Sequence, residues 1–502
     1  MRCCGWRAPI GRRRNEIAVP RMQCTASGAL LIRGPHFSSI PMGPGSAEQR
    51  KMRCTASGTR HNRIISMNLS YLLNARRAAG KPVRVALIGA GKFGSMFLSQ
   101  VPHTPGLEVP VIVDLDPERA REACRTVGWD DARIAATTFT NDDTKATTGN
   151  IEVVVEATGN PAVGITHARA AIAAGKHIVM VNVEADVLAG PLLAEEARSA
   201  GVVYSLAYGD QPALTAEMVD WARATGFRVV AAGKGTKYLP AYHDVTPAGV
   251  WSHYGLTADE AQSAGMNPQM FNSFLDGTKS AIEMAAIANA TGLDVPTDGL
   301  LFPPCGVDDL PHVMRPRAAG GWLEKSGVVE VVSSLERDGR PVFRDLRWGV
   351  YVVLEAPNDY AADCFKQYGL KTDSSGRYAA MYKPYHLIGL ELNISVLSAA
   401  LRHEPTGQPQ GFRGDVAAIA KRPLRAGEML DGEGGYTVWG KLMPATASLA
   451  TGALPIGLAH GVKLKHDIAH GAVVKWSDVA FDADNATVKT RRAMEAKFAG
   501  AR

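Results

Sequence analysis

Glu184 and Asp186 stand one residue apart, directly after the apolar run of the stretch HIVMVNVEAD. Carboxylates placed in this way can move protons in acid–base catalysis or hold a hard divalent cation. A plainer role is open too, because acids in the first turn of a helix complement its dipole. Asp210, in YGDQP, is a third acid at the end of an apolar run. Lys234 and Lys237 lie among glycines in AAGKGTKY. They suit a phosphate or a proton donor to a new alkoxide, and a surface lysine is the alternative for either. DGTKSAIEM puts Asp276 at a candidate N-cap, with Lys279 and Glu283 on one helix face at i, i+4 spacing. The bland reading there is a cap plus an ion pair contributing a few tenths of a kcal/mol. Lys383 and His386 precede an apolar helix in MYKPYHLIGLE, where His386 is either an acid–base group or a capping histidine. Glu184, Asp210 and Glu283 are the candidate metal ligands.

These side chains need a scaffold that gathers them. From Lys81 the chain alternates apolar strands with helices: VRVALIGAGKFG, LEVPVIVDLDPERAREAC, IEVVVEATGNPAVGITHARAAIAAGK, HIVMVNVEAD followed by GPLLAEEARSAG, then VVYSLAYGDQP. That alternation predicts a parallel, doubly wound α/β sheet of the Rossmann type. In such sheets ligands bind outside the carboxyl ends of the strands, which is where Glu184, Asp186 and Asp210 fall. Beyond Pro212 an α+β catalytic domain is expected, with strands in FRVVAAGKGTKY and WGVYVVLEAP and one amphipathic helix in SFLDGTKSAIEMAAIANATG. From Gly411 short strands and Ala-Gly turns predict a small β-rich domain. The expected organisation is a disordered or misannotated leader at 1–66, a dinucleotide-binding domain at 67–212, a substrate domain at 213–410 and the β-rich end at 411–502.

Gly89, Gly91 and Gly94 form G-x-G-x-x-G between an apolar strand and a helix. The first glycine permits the tight turn, the second admits a pyrophosphate, and the third lets helix pack on strand. Pyrophosphate then meets free N–H groups at the helix start. Lys92 and Phe93 lie inside this turn, and Thr158, Gly159 and Asn182 at later strand ends complete the expected cofactor-binding set. Asp114 follows Gly94 by 20 residues, where an acid can bond the adenosine ribose. An acid there favours NAD, whereas Arg119 and Arg121 nearby can accommodate a 2′-phosphate. On balance NADP(H) is expected ahead of NAD(H).

Composition narrows the classes. Residues 1–66 carry 12 Lys/Arg and 2 Asp/Glu, so the net charge of +6 belongs to that leader and the rest of the chain is mildly acidic. A nucleic-acid partner is not expected. No apolar run reaches the ~18 residues of a membrane span. Only Cys124, Cys305 and Cys364 lie beyond the leader, with no CxxC pair, which fits a cytoplasmic protein without zinc ribbons. There is no G-x-S-x-G elbow, Ser-His-Asp pattern or Walker loop, which removes hydrolases and kinases.

VVVEATGNPAVGITHARAAIAAGKHIVMVN is similar to the nucleotide-binding domain of homoserine dehydrogenase. That family continues from its asparagine into a lysine, whereas here Asn182 is followed by Val183 and Glu184. NVEAD, the GDQP at Gly209–Pro212 and the β-rich end resemble a narrower group, the 1-deoxy-D-xylulose 5-phosphate reductoisomerase-like oxidoreductases, which carry a terminal SAF-type domain. The resemblance covers residues 70–490. It implies an NAD(P)-dependent oxidoreductase acting on a small keto-sugar or polyol derivative. In its sharpest form it implies rearrangement of 1-deoxy-D-xylulose 5-phosphate and reduction to 2-C-methyl-D-erythritol 4-phosphate. That chemistry uses Mg²⁺ or Mn²⁺ as a Lewis acid. A sugar-acid oxidoisomerase and a homoserine dehydrogenase-like enzyme are the alternatives, and a dinucleotide-sensing protein without turnover is the rival from another class. A homo-oligomer is expected, with the SAF-like end covering the site or joining subunits.

Overall fold

Six apolar strands build the first sheet: β1 (Val83–Ile88), β2 (Leu107–Val113), β3 (Thr138–Thr140), β4 (Val153–Glu156), β5 (His177–Met180) and β6 (Tyr204–Leu206). Their order is β3-β2-β1-β4-β5-β6, all parallel, so the chain reverses direction across the sheet between β1 and β4. In β4 and β6 every residue is buried, which is why these strands read as unbroken apolar runs. Ile88 pairs with Val113 and Glu156, Glu156 with Met180, and Met180 with Leu206. The carboxyl ends therefore finish level and present one common edge. The computed structural model describes residues 68–482 and 484–500. The expectation for the leader lies outside the described residues.

A second sheet is mixed. β7 (Arg228–Thr236) runs parallel to β8 (Val328–Ser333) and antiparallel to β9 (Val350–Glu355), which pairs with β10 (Tyr378–Lys383). Glycine is required in β7. A Cβ on Gly233 would lie 1.9 Å from the Glu330 carbonyl oxygen, and one on Gly235 would lie 2.0 Å from that of Leu346. The residue between them, Lys234, is thereby held in a backbone pressed from both sides.

The helix Thr278–Thr291 is buried on every side except at Lys279. It packs on β7 and β8, on the helix Val183–Ser199 and on the C-terminal strands β11 (Gly414–Ala420) and β13 (Val438–Pro444). The expected single amphipathic helix is in fact two, Pro268–Leu275 and Thr278–Thr291, broken at Gly277 with φ +90. The helix expected from Gly190 starts at Val183 and runs through Pro191.

β11 and β13 pair antiparallel, as do β12 (Met429–Asp431) and β14 (His460–Lys463). The β-rich end also carries a helix at Ala486–Phe498 that its sequence texture did not announce. The helix Asn393–Arg402 returns to the first sheet, where Leu392, Val396 and Ala399 join the core of Val83, Val85 and Val155. The chain beyond Ile65 is one compact unit. No helix of the described residues is long and apolar enough to cross a membrane.

Candidate active site

The glycine turn has the geometry of a pyrophosphate cradle. Gly89 sits at φ +95, and a Cβ there would meet the Ala157 carbonyl oxygen at 2.7 Å. A Cβ on Gly94 would lie 2.4 Å from the Gly89 carbonyl oxygen, so the third glycine serves helix–strand packing. Gly91 differs: a Cβ there meets nothing within 4 Å. It caps the helix Lys92–Gln100 with no side-chain hydrogen bond, which leaves the first N–H groups free for an anion.

Asp114 is buried and accepts from the backbone N–H of Ala90 at 2.8 Å and of Asp116 at 3.0 Å. Arg119 donates at 2.7 Å to the same oxygen as Asp116 while keeping a side chain 61% exposed. Burial alone would raise the Asp114 pKa, but the Asp116 N–H, Arg119 and the Ala90 N–H lower it, and the net shift is downward. These residues fit a dinucleotide.

At the carboxyl edge, Asn182 caps the helix Val183–Ser199, accepting from the Ala185 N–H at 3.0 Å. Its amide also donates to the Asn160 carbonyl at 2.9 Å and so ties the ends of β4 and β5 together. Thr158 is turned away from this edge: its hydroxyl donates to buried Glu156. The adjacent Ala157 and Gly159 line the cleft in its place.

The cleft is a cavity of about 670 Å³ between this edge and the second sheet. Phe93, Gly159, Asn182, Glu184, Asp210, Lys234, Lys237, Lys279, Glu283 and His386 all line it. Of the expected catalytic set only Asp186 does not. Residues two apart on a helix point about 200° from each other, and both acids lie in the first turn of Val183–Ser199. Glu184 therefore faces the cleft while Asp186 is fully buried behind it, accepting from the Tyr204 hydroxyl at 2.8 Å. Burial pushes the Asp186 carboxyl up to about 7, against the opposing pull of Tyr204.

Ion pairs order the cleft. Lys279 binds Glu184, and Lys234 binds Glu283. The expected Lys279–Glu283 helix pair is thus replaced by two pairs that cross between elements. With its amide oriented to satisfy both groups, Gln211 donates to each Glu283 oxygen at 3.0 Å. Asp210 caps the helix Gln211–Ala224 and accepts from the Gln211 N–H at 2.8 Å. Burial, then the Glu283 charge, raises its pKa. Burial opposes the charge on Lys279, but Glu184, Glu433, Glu283 and Asp210 outweigh it and raise its pKa. His386 Nδ1 lies 2.8 Å from the Trp348 carbonyl, which assigns its neutral-state proton to Nδ1. Gly277 takes the N-cap position of Thr278–Thr291, yet the Asp276 carboxylate accepts from the Thr278 N–H at 2.9 Å and pairs with Lys421 at 2.8 Å.

At the other end Lys237 donates to the His253 carbonyl and lies 5.8 Å from the Tyr254 ring. Arg347 lies 6.0 Å from the same ring. Burial, then Arg347, lowers the Lys237 pKa. No carboxylate pairs with Lys237 or Arg347 among the described residues.

The expected metal set does not form. Lysines occupy Glu184 and Glu283, and Asp210 is held by backbone. Among the described residues no three His, Cys, Asp or Glu side chains converge as cation ligands. Residues that the sequence reading missed include Gln211, Tyr254, Phe271, Ser273, Phe274, Arg347 and Glu433, all in the cleft wall. Of these only Glu433, set in DGEGGY, carries a signal of its own: an acid presented by a glycine-rich turn.

This sheet order and glycine turn form a dinucleotide-binding fold of the Rossmann type. Residues 83–184 match the model of the oxidoreductase family, NAD-binding Rossmann fold. Residues 209–392 match the catalytic domain of oxidoreductase DRL, ending one residue before the helix that returns to the first sheet. No curated protein matches the sequence. Among solved structures, a probable dehydrogenase from Thermotoga maritima aligns at 15% identity and TM-score 0.35, over 64% of this chain and 90% of that one. An inositol dehydrogenase homolog from Azotobacter vinelandii complexed with NAD+ aligns at 20% identity and TM-score 0.28, over 41% of this chain and 53% of that one. A biliverdin reductase from Synechocystis, in complex with biliverdin and NADP+, aligns at 17% identity and TM-score 0.24, over 32% of this chain and 48% of that one. The chain spans about half the length of these last two.

Proposed function

We propose that the chain is an NAD(P)-dependent oxidoreductase acting on a small keto-sugar or polyol derivative that bears a phosphate or carboxylate. The observation that carries this reading is the layout of the cleft. One end meets the level strand edge and the Glu184–Lys279 pair. The other holds Lys237 and Arg347, which have no carboxylate partner among the described residues. Bound on the glycine turn, NAD(P)(H) supplies or accepts the hydride. Lys279 holds a positive charge where a substrate oxygen turns anionic, and a preorganised cation at that place lowers the barrier. Lys237 and Arg347 fix the anionic tail, with the Tyr254 face beneath both.

NADP(H) is preferred over NAD(H) in this reading, because Arg119 neutralises Asp114 and remains exposed toward a 2′-phosphate. The sharper form is reductoisomerisation of 1-deoxy-D-xylulose 5-phosphate, supported by the cation pair suited to a phosphate. The rival enzyme reading is a sugar-acid dehydrogenase or oxidoisomerase, which uses the same cations for a carboxylate.

The experiment follows nicotinamide absorbance with NADP(H) and NAD(H) against phosphorylated, carboxylated and neutral polyols and keto sugars. Turnover confined to anionic substrates is expected. Equal rates on neutral sugars would remove the tail-binding role, and cofactor binding without any turnover would favour a dinucleotide sensor.

A further inference from the structure

The loop between β12 and β13 reads Asp431-Gly-Glu-Gly-Gly-Tyr-Thr437 and brings Glu433 into the cleft wall beside Glu184 and Lys279. Its backbone is fastened from several sides. Gln269 donates to the carbonyls of Asp431 and Glu433, each at 2.9 Å. Asn272 donates to the Gly434 carbonyl at 2.9 Å and Lys421 to that of Gly435 at 2.8 Å. The Asp431 carboxylate accepts from the N–H of Tyr436 at 2.6 Å and of Thr437 at 3.0 Å. A Cβ on Gly434 would lie 2.1 Å from the Gln269 carbonyl oxygen. No other residue permits that approach, so Glu433 is presented on a fixed support.

Among the described residues, charge pairing leaves two acids of the cleft without a cation: Asp210, which accepts from the Gln211 N–H, and Glu433, which the fixed loop presents. Glu283 holds Lys234, Glu184 holds Lys279, and Asp276 holds Lys421. Behind Glu433, across a small void, Asp415 and Arg491 are paired at 2.6 Å. Glu433 has no ion-pair partner among the described residues, and Ser273 lines the cleft with it. Two carboxyls beside one ammonium repel each other, so Glu433 holds its proton more tightly than an isolated acid does.

We propose that Glu433 is the group that holds the proton exchanged with the substrate oxygen, a role that rests on the cleft being a hydride-transfer site. In reduction a hydride from the reduced nicotinamide forms the new C–H bond. The carbonyl π pair moves onto oxygen. That oxygen forms an O–H bond as the Glu433 O–H breaks, and Glu433 is left as a carboxylate facing Lys279. Oxidation runs the same steps backward, the carboxylate taking the hydroxyl proton. Burial, then the Glu184 charge, pushes this carboxyl up to about 8, which suits exchange near neutral pH. The C-terminal segment would then supply part of the chemistry and not only a cover.

The test uses the full chain and the isosteric variant Glu433→Gln. Infrared difference spectra of the resting protein, taken on an Asp186→Asn background, should show a protonated-acid band that disappears as pH passes about 8 and is missing once Glu433→Gln is added. The variant should bind NADPH like the parent by nicotinamide fluorescence, yet reduce the substrate roughly 100-fold more slowly. Its rate should lack the alkaline fall seen in the parent, and Glu433→Asp should restore that fall with part of the rate. A variant that keeps the parent's rate or alkaline limb overturns the proposal. Turnover by a parent lacking the band overturns the Glu433 assignment alone. The band without any turnover overturns the hydride-transfer reading of the cleft.

Discussion

Lys279 and Glu184 are 95 positions apart in sequence and form an ion pair across the cleft, one from the central helix and one from the strand edge of the dinucleotide fold. Breaking a largely buried pair strands the remaining charge. Lys279→Met is therefore expected to slow hydride transfer by roughly 100-fold or more while NADPH still binds. Glu184→Gln is expected to cost less, since Lys279 keeps Glu433 nearby. The double variant should fall well short of the product of the two losses, because the residues act as a unit. A double-mutant cycle on kcat/KM checks this, and strictly multiplicative losses would show that the pair does not act together.

The three glycines of the turn should fail differently. Gly94→Ala places a methyl 2.4 Å from a carbonyl oxygen and is expected to destabilise the fold by about 1–3 kcal/mol. Gly91→Ala meets open space in the protein and should melt like the parent, yet bind NADPH about tenfold more weakly. Thermal melts alongside fluorescence titration separate the two, and a Gly91→Ala chain that binds normally would take this turn out of the cofactor site.

Coenzyme choice is expected to follow Arg119. Its guanidinium binds Asp114 at 2.7 Å but is mostly exposed. In Arg119→Ala the ratio of kcat/KM for NADPH over NADH should drop by about tenfold, as the ionised Asp114 then faces the 2′-phosphate alone. An unchanged ratio would mean that another group reads the phosphate.

Asp186 should shape stability against pH. Its carboxyl titrates at about 7 in the folded chain and at 3.8 by its ordinary value. Between those values the folded state holds more protons than the unfolded, so stability falls as pH rises through the window and stays low above it. Asp186→Asn cannot ionise and keeps an oxygen for the Tyr204 hydroxyl. It should melt close to the parent at about pH 4 and above it at about pH 8. A variant less stable than the parent at the higher pH would show that the charge is satisfied in place.

The first sheet was legible because β1, β4 and β5 are covered on both faces, which leaves a run of apolar residues no other element explains. Its edge was legible for the same reason, and with it Glu184 and Asp210. Asp186 was misplaced because strand and helix are joined through little more than the cap residue Asn182, so the helical phase that separates the two acids was hidden. The metal set failed on pairing: acids near one edge look like a cation site until lysines from β7 and Thr278–Thr291 arrive to hold them. Glu433 could not be found by spacing at all. Its position depends on Gln269 and Asn272, more than 150 residues upstream, fastening a loop whose own sequence says only that it turns tightly.

The order of these pieces along the chain also sets an order in time. Synthesis runs from the amino terminus, so the glycine turn emerges long before Lys279, and Glu433 comes later still. The core of the dinucleotide sheet is itself complete only once the helix Asn393–Arg402 has emerged to pack on it. Only after the strands around Asp431–Thr437 have left the ribosome can Gln269 and Asn272 close on them. The loop that carries Glu433 is thus the piece that closes the wall of the cleft.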